Sequence, residues 1–104
     1  MNKMQVKIYD KFAYKKPYIY LVYSEFEAKV NEEAELRNGL NLGECEFDYK
    51  SWEERLKVSR KKLMIAINEL VKVKAIKQVR RGIKGKCSIY YLLRFDDESL
   101  SVEI

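Results

Sequence analysis

The feature that most limits what this chain can fold into is an amphipathic run set behind a polar cap. Ser59 is followed by Arg60-Lys61-Lys62-Leu63-Met64-Ile65-Ala66-Ile67-Asn68-Glu69-Leu70. A serine hydroxyl can accept from an orphan amide of the first helical turn, so Ser59 is a good N-cap. Leu63, Ala66, Ile67 and Leu70 recur at steps of three and four, which places an apolar stripe on one side of a helix ending near Lys74. Upstream, Asp48 can cap a short helix over Tyr49–Leu56, with Tyr49, Trp52 and Leu56 on one side. Lys57-Val58-Ser59 leaves only a tight turn between the two helices, with Val58 inward. Downstream, Ile76–Arg81 and Cys87–Phe95 read as strands joined by Gly82-Ile83-Lys84-Gly85-Lys86.

Arg60, Lys61 and Lys62 crowd the first turn of the longer helix, where they oppose its dipole at about 0.3–1 kcal/mol each when exposed. A sequence that keeps them there points to an anionic partner, and phosphate fits best. The same sign dominates the whole segment. Residues 50–94 hold 14 Lys/Arg against 3 Asp/Glu, whereas residues 24–48 hold 2 against 8. The overall charge of +5 therefore conceals a strongly basic segment that coincides with the helix pair and hairpin. Such clustering is the electrostatic footprint of a nucleic-acid binder.

The order of short helix, tight turn, longer helix and basic-tipped hairpin resembles the winged helix-turn-helix family. The residues that carry the likeness are Val58-Ser59-Arg60 opening the second helix, Ala66-Ile67 in its middle, Leu70, and Ala75-Ile76 leading into the wing. The stretch from Tyr20 to Tyr91 is also similar to the N-terminal winged domain of phage replisome organisers. The resemblance implies an α+β winged-helix fold of about three helices and a small antiparallel sheet with a β-hairpin wing. It implies a cytoplasmic, non-enzymatic protein that binds double-stranded DNA as a homodimer. Its expected setting is a plasmid or phage, as an accessory factor at an origin of replication or conjugative transfer, or as a regulator of transcription. A replication, transfer or transcription protein would be a further partner. Tyr18, Tyr20 and Tyr23 of the helix that Pro17 opens are expected to pack in the core with their hydroxyls at the rim, or alternatively to form a self-association surface, since winged-helix relatives often dimerise through peripheral elements. A protein–protein adaptor on the same fold is the alternative.

In this family the helix after the turn enters the major groove with its N-terminal residues nearest the bases. The expected DNA-binding residues are Lys50, Ser59, Arg60, Lys61, Lys62 and Asn68, with Arg80, Arg81, Lys84 and Lys86 from the wing. Arg60 can bridge O6 and N7 of guanine. Met64 and Ile65 stand where relatives often carry polar base readers. The middle of the helix is therefore poor in hydrogen-bonding groups, and readout is expected to shift to its first turn and to the wing. Gly82 and Gly85 allow the wing to turn and to approach phosphate closely, and an arginine-tipped wing suits a narrow minor groove.

A chain of 104 residues is expected to form a single domain spanning 1–104. Its 47% apolar and 36% charged content is that of a globular chain rather than a disordered one. Histidine is absent, which removes the commonest general base and the commonest metal ligand together. No Gly-rich loop followed by Lys-Ser/Thr and no recognisable catalytic carboxylate pair occurs, so neither catalysis nor a cofactor or metal is expected. Cys45 and Cys87 lie far apart and read as reduced core thiols. No apolar run approaches the ~18 residues of a membrane span, and the N-terminus lacks the apolar region of a secretion signal.

The remaining segments are less constrained. Residues 1–16 are compatible with an arm, with a strand over Gln5–Tyr9, or with a short helix packing Ile8, Tyr9 and Phe12. Pro17 opens a helix expected to reach Val30, with Ile19, Val22, Tyr23, Phe26 and Val30 on one face. Residues 31–43 read as a polar connection with turns at Asn38-Gly39 and Asn41-Leu42-Gly43. Glu25, Glu27, Glu32, Glu33 and Glu35 are expected in solvent. Glu44–Asp48 alternates as a short strand with Cys45 and Phe47 facing one way. The acidic tail, residues 96–104, is expected to be flexible, or to add an edge strand through Leu100, Val102 and Ile104.

Overall fold

The computed structural model describes residues 2–36, 40–83 and 86–95. Among them are four α-helices, α1 (Lys3–Phe12), α2 (Pro17–Leu36), α3 (Tyr49–Leu56) and α4 (Arg60–Lys72). Three strands, β1 (Glu44–Phe47), β2 (Ile76–Arg80) and β3 (Ser88–Leu92), form an antiparallel sheet in the order β1-β3-β2. This is a winged-helix-like α+β fold: β2 and β3 are the hairpin, and β1 completes the sheet on the other side of β3.

Local chemistry accounts for each boundary around α3 and α4. Asp48 accepts from the Ser51 amide at 3.0 Å and the Ser51 hydroxyl at 2.6 Å, capping α3. The hydroxyl bond, followed by the amide, holds the Asp48 carboxyl below the usual carboxylate range. Lys57 closes α3 in the left-handed conformation, φ 57°, with its amide donating to Glu53 O at 2.9 Å. Val58 is buried in the turn. Ser59 then caps α4, accepting from the Lys62 amide at 3.3 Å. α4 ends at Lys72, slightly short of the expected Lys74, where a left-handed Lys74 (φ 61°) lets the Ala75 amide reach Leu70 O at 2.9 Å.

Leu63, Ala66, Ile67 and Leu70 are buried, as their spacing requires. Their partners are Ile19, Val22, Tyr23, Phe26 and Val30 of α2, together with Cys45, Phe47, Trp52, Ile76, Tyr90 and Leu92. Phe26 and Phe47 organise an aromatic centre, with Trp52 4.6 Å and 4.7 Å from them and Tyr90 5.7 Å and 5.8 Å away.

Four expectations are corrected. Of the arm, strand and short helix compatible with the N-terminal segment the helix is found, α1, burying Met4, Ile8 and Phe12 at four-residue steps, whereas Tyr9, expected to pack with them, is exposed. Asn2 and Gln5 start it with a capping box, each side chain bonding the other's amide at 2.9 Å. The proline helix runs past Val30 to Leu36. The last strand stops at Leu92, and Leu93–Phe95 turn as a 3₁₀ helix that carries Arg94 inward.

The fourth correction concerns Glu25 and Glu27, which are buried rather than solvated. Glu25 pairs with Arg55. Glu27 accepts from Arg94 Nε at 2.9 Å on both oxygens, from the Tyr23 hydroxyl at 2.5 Å and from Asn2 Nδ2 at 3.1 Å. A buried carboxylate is tolerable only when its lone pairs are used in this way. Two cations of the basic segment, Arg55 and Arg94, are thus engaged with acids of α2. The expected turn at Asn38-Gly39 and the tail lie outside the described residues.

Candidate nucleic-acid interface

The first turn of α4 projects its cations from the fold. Arg60, Lys61 and Lys62 are exposed, as is Ser59. Arg60 is not free, however. Its Nε donates to Glu53 Oε1 at 2.9 Å, and its guanidinium stands 5.2 Å from the centre of the Tyr49 ring. The Lys62 ammonium lies 5.5 Å from the Tyr18 ring of α2. Both contacts fix a long cationic side chain over an aromatic face while leaving charge directed outward.

The hairpin contributes the second group. Arg80, Arg81 and Lys86 are exposed. Arg80 Nη2 donates to Cys87 O at 2.9 Å across the base of the wing. Ile83 and Lys86 exchange backbone bonds of 3.2 Å and 2.9 Å, tightening the tip. Gly82 brings its amide to 2.9 Å from Ser88 Oγ, and a Cβ there would lie 2.8 Å from that oxygen, so a larger residue would require the Ser88 side chain to shift. Lys84 and Gly85 lie outside the described residues.

A groove of about 420 Å³ separates the start of α3 from the wing, and Tyr49, Gln78, Arg81, Lys86, Ser88 and Tyr90 are among its walls. Tyr49 is the hinge of the arrangement: one residue belongs to the groove and carries Arg60 over its ring. Arg81 and Lys86 thus share the groove with Tyr49 and with the acid Asp48, and Arg60 adjoins it through the Tyr49 ring. Lys50 is exposed on α3 beside Tyr49. Asn68 is exposed about 12 Å along α4 from Arg60 at 1.5 Å per residue. It shares the outward face with Lys61, Met64 and Val71; Met64 is 48% exposed and Val71 42%. Ile65 is half-buried. The middle of α4 thus presents one amide between two apolar side chains.

The accessible ionic groups around the groove are chiefly donors without acceptors, which suits phosphate oxygens. Cys87 is half-buried, and burial followed by Glu46 and Asp48 pushes its thiol up, so it is held away from the reactive thiolate. Cys45 is buried, and both cysteines are unbridged. Among the described residues no group of three or more histidine, cysteine or acidic side chains could hold a metal. No helix among them is long and apolar enough to cross a membrane.

Periodicity did not reveal Glu53, Tyr49 or Tyr18 as partners of the α4 cations. Glu53 and Arg60 are seven residues apart across the turn, and Tyr18 belongs to another helix. Their pairing depends on the helix crossing rather than on any one helix's repeat. Comparison of the chain with protein-family models, with curated proteins and with solved structures gave no significant match in any of the three.

Proposed function

We infer that this chain is a non-catalytic module that binds double-stranded DNA, with the first turn of α4 in the major groove and the wing against the backbone or minor groove. The observation that supports the reading is that Tyr49, which carries Arg60 over its ring, lines the same groove as Arg81 and Lys86. Cations gathered around one groove let a duplex lie against several of them at once. With no effector activity evident in its residues, such a module acts by occupying a site or by recruiting another protein. The setting that its likeness to winged domains suggests is an origin of replication or transfer, or a promoter, on a plasmid or phage. A homodimer reading two half-sites fits that role.

Exposed Met64 and Val71 favour a second reading, in which the same face of α4 meets a protein. Titration of labelled duplex at several salt concentrations separates the two. A DNA binder loses affinity with a log–log slope of about −0.9 for each phosphate neutralised. A flat dependence, or no binding at low salt, overturns the DNA reading and leaves the adaptor.

A further inference from the structure

The basic character does not stop at α4. Lys3, Lys7, Lys11 and Lys15 follow one another at four-residue steps along α1 and the turn after it, and all are exposed. Residues i and i+4 are neighbours on a helix, and like charges there repel. Asp10 is the single acid among residues 2–24, so the stripe is not neutralised locally. Its end is shaped: Lys11, Lys15 and Lys16, with Phe12, line a cleft of about 280 Å³ at the α1–α2 corner. The corner also carries Tyr14, which is 85% exposed and packed edge-on to Tyr9 at 6.1 Å.

The corner adjoins the surface described above. Tyr18 follows Lys16 and Pro17 directly, and its ring is the one beneath the Lys62 ammonium. α2 packs against both α1 and α4. Cations and tyrosines are therefore paired on both flanks of the start of α4, Arg60 over Tyr49 and Lys62 over Tyr18, and recur at the corner lined by Lys15 and Lys16. We propose that the lysine stripe of α1 and its corner are a third DNA-contacting element, which grips the sugar–phosphate backbone of the duplex flanking the segment read by α4 and the wing. The proposal rests on the DNA reading given above. From Lys3 to Lys11, within α1, the stripe spans about 12 Å, the length of about three to four base pairs. An anionic membrane is the other surface that a basic helix can meet. That mode needs a broad apolar face to insert, and here Met4, Ile8 and Phe12 are buried in the core, leaving Val6 and Tyr9 as the exposed apolar side chains of α1.

The test compares full-length protein with the triple variant Lys7→Gln, Lys11→Gln, Lys15→Gln on duplexes of about 12 and about 24 base pairs over a range of salt. Removal of three phosphate contacts is expected to make the slope on the longer duplex shallower by up to about 2.7 and to weaken binding there about tenfold or more at low salt. The shorter duplex should be affected far less. Arginine at the same three positions should restore binding. A control removing equal charge, Lys72→Gln, Lys74→Gln, Lys77→Gln, should change the slope less. Circular dichroism melts establish that each variant is folded. An unchanged slope on the longer duplex overturns the proposal while leaving α4 and the wing in place. An equal loss in the control overturns it too, since net charge alone would then explain the effect. So does binding to anionic vesicles that the triple variant abolishes while its DNA binding persists. Absence of salt-dependent DNA binding by the unaltered protein removes both this proposal and the reading beneath it.

Discussion

At the scale of single residues, the cations of α4 differ in how much they are committed before any partner arrives. Arg60 is held by Glu53, and both groups are partly exposed, 59% and 29% at their side chains. Such a pair contributes about 0.2–1 kcal/mol, and a ligand competing for Arg60 must break it. Glu53→Gln should therefore tighten DNA binding about twofold to fivefold, read by fluorescence anisotropy; a loss of affinity would show that Glu53 organises Arg60 for its partner instead. Arg81 lines the groove and Asn68 stands alone between Met64 and Val71. Arg81→Ala should accordingly weaken binding more than Asn68→Ala at matched salt. Equal or reversed effects would move readout back to the middle of α4.

At the scale of elements, the turn before β1 fixes where the sheet begins. Gly43 adopts φ 86°, and a Cβ there would meet Tyr91 Cε1 at 2.7 Å and the Phe95 ring at 3.0 Å. Its carbonyl also accepts from the Leu92 amide at 2.9 Å, so the backbone cannot simply relax. Gly43→Ala should cost about 1–3 kcal/mol, measured by urea unfolding. A change within about 0.5 kcal/mol, the range of a neutral surface substitution, would mean that Tyr91 and Phe95 can move aside. The sheet carries the wing, so a loosened Gly43 turn should weaken DNA binding only through stability, with an unchanged salt slope. The wing itself depends on a different close approach, that of Gly82 to Ser88.

At the scale of the whole molecule, the network on Glu27 joins segments that no local rule connects. Asn2 caps α1, Tyr23 and Glu27 belong to α2, and Arg94 follows β3, so one carboxylate ties both ends of the described chain to its longest helix. Removal of one partner of a buried pair leaves an uncompensated charge and costs about 3–5 kcal/mol. Arg94→Met should have that effect, whereas Glu27→Met with Arg94→Met should cost less than either change alone; additive losses in calorimetry would refute this coupling. The Tyr23 hydroxyl is pushed well above the ordinary phenol range, first by burial and then by the neighbouring Glu27 carboxylate. A group raised in the folded state contributes fully below its unfolded value of about 10 and is lost as pH climbs beyond it. Thermal midpoints should thus fall between about pH 9 and pH 11, and fall less steeply in Tyr23→Phe.

The same three scales separate what the amino-acid order determined from what folding decided. α3, its three-residue turn, α4 and the β2–β3 pairing follow from caps, spacing and glycines close at hand, so they were legible: Asp48, Ser59 and the Leu63–Leu70 period need nothing distant to act. The exposure of Arg60, Arg81 and Lys86 was legible for the same reason, since isolated cations stay in water unless a partner exists. The partners themselves were not. Glu25 and Glu27 read as solvent acids because the residues that permit their burial, Arg55 and Arg94, lie 30 and 67 positions away. The end of β3 was misplaced because period-two alternation continues through Arg94, while the pull of Glu27 turns that residue inward. Tyr49 joins α4 to the wing only because the sheet and α3 meet at Phe47 and Asp48. Charge and periodicity could name the cations; only packing over long sequence separations could choose which are held, which are presented, and against which tyrosine.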